Sequence, residues 1–544
     1  MPQFSLGLDY GTNSVRALLV DVSNGDEIAT AVYYYPSGVS GVFYDENDVN
    51  LARQHPQDYV DGFYAAVKEV IAGIDPSQIV GLGVDTTGSS PMPVDKDGTP
   101  LAFLTQFHDN LAAMTWLWKD HTSYAEAAEI TRMASQQNLP YLAKCGGTYS
   151  SEWFWSKILH CARTAPEVFA AADSWVECAD WIPGFITGTS NPRTLKRSIC
   201  AAGHKAMFAE EWGGLPSREF LSSLDPRLAE LRDRLFQQAV PSNQIAGYIT
   251  TEVAEKSGLP GGIPVAVGAF DAHFGAVASG VKPGTLVKIM GTSTCDCMVH
   301  PLSEPLADIP GLCGIVQGSV LPGYYGLEAG QSAVGDIFNW FASFVGQSHE
   351  ELTEGALQLE PGASGLLALD WNNGNRTILV DPLLTGLLVG QTLHTTPAEV
   401  YRTLIEATAF GALTIIKRLE EYGVAVTEVV NCGGIAEKSP LVMQIYADVC
   451  NRPMKVSRSA QTCALGSALF GAVVAGVYEN AEQAQIAMSG VKDRVYEPNP
   501  SAAAVYQELY ELYLLLHNSF GLPGGTEIGS VMKRLIALRE STRK

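Results

Sequence analysis

The stretch Phe4-Ser-Leu-Gly-Leu-Asp9-Tyr-Gly11-Thr12-Asn13-Ser14-Val-Arg16-Ala-Leu-Leu-Val20-Asp21 decides the fold. Leu6 and Leu8 alternate ahead of an Asp-x-Gly-Thr turn, and Val15 to Val20 form the returning strand. Gly11 permits the sharp reversal, and the turn N–H groups with the Thr12, Asn13 and Ser14 side chains present donors to an anion. Asp9 stands beside them, placed to hold a magnesium ion through its waters. No Gly-x4-Gly-Lys-Ser/Thr loop occurs in the chain, so this hairpin is the route by which it would grip a nucleoside triphosphate.

An ordinary Gly-turn hairpin reads the same way in isolation. A second copy of the pattern separates the two readings: Thr285-Leu-Val-Lys-Ile-Met-Gly291-Thr292-Ser293-Thr294-Cys-Asp-Cys-Met-Val299 is again strand, Gly-Thr-Ser turn, strand. Two phosphate-type hairpins half a chain apart predict two similar α/β domains facing each other across a cleft. Further on, Val426 to Cys432 reads as a buried strand that runs into Gly433-Gly434-Ile435 and then a helix. Such a turn brings backbone close to a flat ligand such as a nucleoside.

With 544 residues the chain exceeds one core, and two domains are expected, at 1–259 and 260–544. The net charge of −23 excludes nucleic acid and anionic membranes as natural partners. It also means that phosphates must be met by a few local cations, for which Arg16, Lys205 and Lys288 are candidates. The ten cysteines follow no disulfide or zinc spacing, and Cys295-x-Cys297 reads as one face of a strand. With no signal-peptide pattern, reduced cysteines in the cytoplasm are expected. The apolar run from Cys463 to Tyr478 is too short to span a bilayer and reads as a tightly packed internal helix.

Other elements follow from periodicity. A helix is expected at about 56–73, a fully buried strand over Ile79–Val84 ending in Asp85-Thr-Thr-Gly-Ser-Ser90, and a hairpin over 92–104. Residues 110–240 are mainly helical and tryptophan-rich, with most of the indoles in the core. A strand ending at Gly268 leads into Asp271 and a helix, and longer helices are expected at about 330–345 and 397–421.

The set Asp9-x-Gly-Thr, Gly291-Thr-Ser and strand-Gly433-Gly434 resembles the superfamily of sugar kinases, actin and heat-shock ATPases, with its ribonuclease H-like domain pair. Within it, the chain is similar over essentially its full length to the FGGY carbohydrate kinases, and to their ketopentose-phosphorylating branch. Asp85-Thr-Thr-Gly-Ser-Ser90, Leu117-Trp-Lys-Asp-His-Thr122, Ser151-Glu-Trp153, Asp180-Trp-Ile-Pro183, Ala201-Ala-Gly-His-Lys-Ala206, Ala269-Phe-Asp-Ala-His273 and Met290-Gly-Thr-Ser-Thr-Cys-Asp296 carry the resemblance. Phe107-His-Asp-Asn-Leu departs from it, since a Pro-containing loop is expected there.

The resemblance implies ATP-dependent phosphorylation of L-ribulose to L-ribulose 5-phosphate. Asp271 matches the family's catalytic base; a plain helix cap is the alternative. Lys205 matches a sugar-binding lysine, and Glu328 would accept sugar hydroxyls, unless it is an acidic residue at a helix start. Thr87, Gly88 and Ser89 would meet the sugar through backbone groups. His204 reads equally as packing. ATP would lie between Gly11–Ser14 and Gly291–Ser293, with Gly433, Gly434 and Ile435 against adenosine and Ser332 and Asp336 alongside. Asp9 would act through Mg2+. The partners are thus a ketopentose and ATP, and the oligomeric state is open, a homodimer being one outcome. Kinases for D-ribulose, ribitol or xylulose remain rivals, as does an actin-like ATPase with a protein partner. Asp271, Lys205 and the Trp-rich region weigh against the last of these.

Overall fold

The computed structural model describes residues 2–522 together with 529, 532 and 533. Two sheets repeat one plan. In the first, Phe4–Tyr10 pairs antiparallel with Ser14–Asp21, which pairs with Glu27–Tyr34. On its other edge Phe4–Tyr10 runs parallel to Ile79–Thr86, and Pro264–Ala266 and Ile245–Tyr248 complete the sheet. In the second, Thr285–Met290 pairs antiparallel with Thr294–Pro301, which pairs with Tyr324–Ala329. Thr285–Met290 likewise runs parallel to Glu428–Cys432, followed by Met454–Val456. A hairpin extended by a third antiparallel strand, then flanked by parallel strands, is thus built twice, as the paired turns require.

The sheets move the expected division of the chain. Pro264–Ala266 and Ala269–Phe270 both pair with Ile79–Thr86 in the first sheet. The chain therefore leaves the first sheet after Phe270, not at 259/260, because the strand ending at Gly268 is needed to close that sheet's parallel edge.

Helix Thr462–Val474, the apolar run singled out above, packs against both this sheet and helix Asp271–Ala278. The packing is backbone to backbone: a Cβ on Gly7 would lie 1.8 Å from Ala464 O, and one on Gly83 2.0 Å from Ser467 O. Ser5 Oγ donates to Ala468 O at 2.6 Å across the same seam. The helix thus joins the second half of the chain to the first. Among the described residues no helix is long and apolar enough to cross a membrane.

The helix expected at 56–73 runs Pro56–Val70, and that at 397–421 runs Pro397–Glu421, opened by a Thr396/Glu399 capping box. The hairpin expected over 92–104 is reduced to a single antiparallel bridge, Val94 to Pro100. Its turn at Asp95–Gly98 is present, but Pro91–Val94 pairs with Ser174–Glu177, and residues after Pro100 make a short 3-10 turn. Trp116, Trp153, Trp155, Trp175 and Trp181 are all buried.

Candidate active site

Strand register assembles the site. Asp9 stands opposite Asp85, and Asp85 opposite Ala269, two residues before Asp271. Three carboxylates therefore gather at the carboxyl ends of adjacent parallel strands, where open α/β sheets place their ligands. Asp85 is buried; its Oδ2 accepts from Ser467 Oγ at 2.6 Å, while Oδ1 has no partner. Burial raises Asp85 well above the ordinary carboxylate range, with further contributions from Asp9 and Asp271. Burial also raises Asp9, against the opposing pull of Arg16, its neighbour across the hairpin. Asp271 is pushed up to about 7, first by burial and then by Asp9. Its Oδ1 accepts from the N–H of Ala272 at 2.6 Å, a local bond that leaves Oδ2 for another partner.

Facing these carboxylates is a cradle that spans the two halves. Lys205 closes helix Ile199–Lys205, and its ammonium donates to both oxygens of Glu328, at 2.9 and 3.1 Å. Glu328 is not at a helix start; it lies on strand Tyr324–Ala329 and is buried. The Lys205 ammonium overcomes the cost of burial and holds Glu328 far below the usual carboxylate range. The same ammonium lies 5.2 Å from the Trp153 ring and 5.7 Å from Phe270, and Tyr149 Oη donates to Lys205 O. Trp153 is thus the indole at the cradle.

His204 and His273 border Glu328 on its far side, with nitrogen–oxygen distances of 3.3 and 3.5 Å. Burial lowers both imidazoles, His273 to about 4, so they are neutral near pH 7.

The loop Thr87–Ser90 is fixed from behind. Ser89 Oγ and Ser90 N–H donate to Glu177, and the buried Lys157 ammonium donates to the carbonyls of Ser89 and Leu117, both at 2.8 Å. One residue past Leu117, Trp118 Nε1 donates to Thr12 Oγ1 at 3.0 Å. Lys157 therefore ties the expected sugar loop to the segment that holds the first phosphate turn.

On the nucleotide side, the second turn is tied to the helix Gly335–Val345. Gly291 O accepts from Gly335 N at 3.1 Å, and Thr292 O accepts from Val334 N at 2.8 Å and Asp336 N at 3.2 Å. Gly433 has φ +92°, and a Cβ there would lie 2.5 Å from Met290 O. Ile435 Cδ1 would lie 3.1 Å from a Cβ on Gly335. Gly291–Ser293, Asp336 and Gly433–Ile435 thus converge, with Asp336 exposed and Ser332 half-buried just upstream. In the first turn, Gly11 N–H donates to Ser14 O at 2.9 Å and Asn13 Nδ2 is engaged by Ser40 O at 2.6 Å. Asn13 therefore shapes the turn, and Thr12 is held beside it, its carbonyl accepting from Gln54 Nε2 at 2.6 Å.

Lys288 is not available to phosphate: it is buried and donates to both oxygens of Asp296, at 2.8 and 2.7 Å. A cation absent from the expectations does face the cleft: Arg376 lies 3.7 Å from Glu152 of the opposite half. Lys157 and Arg376 carry no motif of their own, whereas Asp85 and His273 lie in segments that carry the resemblance without a role being assigned to them.

A carboxylate near neutrality, a lysine–glutamate cradle and two phosphate turns in duplicated domains make a carbohydrate kinase. Models of the FGGY family of carbohydrate kinases match residues 4–278 as the N-terminal domain and 286–475 as the C-terminal domain, and the chain belongs to that family. It is 43% identical to a ribulokinase of Halalkalibacterium halodurans, covering 99% of this chain and 98% of that one. It is 42% identical to a ribulokinase of Vibrio parahaemolyticus, over 94% and 95% of the two chains. Among solved structures, a xylulose kinase from Rhodospirillum rubrum superposes with a TM-score of 0.79 at 22% identity, over 95% of this chain and 99% of that one. Plasmodium falciparum glycerol kinase with ADP gives 0.77 at 14% identity, over 95% and 98%. These two show the shared fold.

Proposed function

We propose that the protein transfers the γ-phosphoryl group of ATP to the 5-hydroxyl of L-ribulose, forming L-ribulose 5-phosphate and ADP. The observation that carries this reading is the Lys205–Glu328 cradle set beside Asp271, a carboxylate poised near 7. The relatives named ribulokinase support the choice of sugar.

Lys205 donates to sugar hydroxyls and Glu328 accepts from them, which orients the sugar with its terminal hydroxyl toward Asp271. Asp271 takes the hydroxyl proton as that oxygen attacks phosphorus in line, and the bond to the ADP oxygen breaks. The Gly11 and Gly291 N–H groups close their own turns, so the remaining backbone N–H groups of the two turns, at 12–14 and 292–293, meet the phosphate oxygens, and Gly433–Ile435 lie against adenosine. The unpartnered Asp85 oxygen and the carboxylates of Asp9, Asp85 and Asp271, each raised first by burial, are a donor set that a hard divalent cation would neutralise, so the residues fit Mg2+. Asp9 would hold the ion through water, and it would supply charge neutralisation on the triphosphate. The Glu152–Arg376 and Lys144–Asp308 pairs, the latter at 2.6 Å, bridge the halves and would hold the cleft shut against water.

ADP release measured across the 2-ketopentoses tests the reading. L-ribulose should give the highest kcat/KM. A clear preference for a xylulose would overturn the sugar, and turnover independent of any sugar would overturn the kinase.

A further inference from the structure

The two imidazoles behind Glu328 pose a question that sugar binding leaves unanswered. Ser319 Oγ lies 2.9 Å from His204 Nε2 and 3.1 Å from Val316 O. That contact occupies Nε2 and leaves Nδ1 without a hydrogen-bond partner. Nδ1 faces Glu328 Oε2 at 3.3 Å. His273 Nε2 lies 3.5 Å from the same oxygen, and neither nitrogen of that ring has a hydrogen-bond partner. The side chains of His204, His273 and Glu328 are 0%, 2% and 10% exposed, so solvent does not satisfy them.

We propose that His204 Nδ1, His273 Nε2 and Glu328 Oε2 form an inhibitory site for a zinc-class divalent cation, which on binding loosens Glu328 from Lys205 and closes the sugar cradle. The three atoms lie within 4.8 Å of one another. A tetrahedral zinc with bonds of about 2.0–2.1 Å has ligand–ligand edges of roughly 3.3–3.4 Å. The two edges to Glu328 Oε2, 3.3 and 3.5 Å, already match that geometry. Two imidazoles and one carboxylate select a borderline-soft ion; Mg2+ prefers oxygen and retained water, so the catalytic metal would not compete. Lys205 loses its 3.1 Å bond to Oε2 and keeps only the one to Oε1, now on a carboxylate whose charge the cation neutralises, which loosens the pair that orients the sugar. The free imidazoles do not touch the sugar; they act only when the ion is present. The inhibition rests on the kinase reading, whereas the metal site does not.

Co2+ serves as the spectroscopic probe in place of Zn2+. Titrated into the chelator-treated full chain without sugar or ATP, Co2+ should give visible d–d absorption saturating at one equivalent, bleached by Zn2+. His204→Ala and His273→Gln should each weaken Co2+ binding at least tenfold, the order expected when a metal site loses a supporting group. In the kinase assay with excess Mg2+, Zn2+ should raise KM for the ketopentose at least tenfold in the unsubstituted protein. It should leave KM for ATP unchanged and lose its effect in His273→Gln. A thiolate-to-metal charge-transfer band would overturn the site by pointing to Cys295 and Cys297, whose sulfurs are 3.9 Å apart. Undiminished binding in both variants, or no stoichiometric binding, would do the same. If one variant fails to fold, the other and the unsubstituted protein's spectrum decide. Inhibition absent while the histidine-dependent band persists would sink the closing of the cradle but not the metal site.

Discussion

The two hairpins share turn, length and strand pairing, yet they serve opposite purposes. Phe4–Asp21 sends a half-buried Asp9 to the strand end, where it meets Asp85 and the segment before Asp271. Thr285–Pro301 buries its own charges: Lys288 and Asp296 neutralise each other within the hairpin, at 2.7 Å. The first hairpin therefore concentrates like charges, and the second is electrically closed. Under the proposed function the first sheet carries the reactive carboxylates and the second the nucleotide platform.

The largest test of this asymmetry is Asp271→Asn. The amide keeps the shape and a hydrogen bond to Ala272 N–H but cannot take a proton. We expect kcat to fall on the order of 10³-fold, with ATP binding by calorimetry unchanged. Loss of ATP binding instead would assign Asp271 to the nucleotide. On the second hairpin the expected damage is to stability. Asp296→Ala leaves Lys288 charged and buried without its partner, which costs about 3–5 kcal/mol. Urea unfolding should show that loss, whereas Lys288→Met with Asp296→Leu should recover most of it. An unaltered midpoint in Asp296→Ala would mean that the second hairpin is not closed by its own pair.

The hairpins, their echo and the Gly433 turn were legible because turn chemistry is local: a reversal between two strands needs glycine whatever surrounds it. The helix Pro397–Glu421 was legible for the same reason, its capping box and Pro at the first turn being written in consecutive residues. Pairing partners were not. Pro91–Val94 reads as one arm of a hairpin because Asp95–Gly98 does turn, but its sheet partner is Ser174–Glu177, far along the chain. Likewise the first sheet takes in Pro264–Ala266, a pairing partner that lies beyond residue 260. At the site, Lys205 and Glu328 were found singly, through resemblance, but their union across the two halves is a tertiary fact. A lysine near a Gly-Thr-Ser turn reads as free in the sequence; only the strand pairing sets Asp296 directly opposite Lys288.

The pH dependence sharpens the comparison further. Asp271 is raised to about 7 by burial and by Asp9. The base is active without its proton, so kcat/KM for the sugar should fall as pH drops through the value of the group, tenfold per unit at the acidic limit. Bound Mg2+ offsets the Asp9 contribution, so the acidic limb should lie at or below about 7. A flat profile between pH 5 and 8 would remove Asp271 from proton transfer.

The smallest effect expected separates two buried lysines. Lys288 has a carboxylate in contact, whereas Lys157 is capped by carbonyl oxygens, including those of Ser89 and Leu117 at 2.8 Å. Burial lowers Lys157 to about 7, partly countered by Glu177. An ammonium held this way is easily replaced as filler but not as a tie between Ser89 and Leu117. Lys157→Met fills the same volume and removes a desolvated charge, so the unfolding midpoint should change little. Bonds from a charged donor contribute about 1.5–3 kcal/mol each, and losing the tie should release the sugar loop by part of that amount. KM for the ketopentose should rise several-fold, up to about tenfold, while kcat and KM for ATP hold. A fall in kcat with KM unchanged would show instead that Lys157 acts through Leu117, Trp118 and Thr12 on the phosphate turn, making the staple a brace for the first hairpin, not for the sugar.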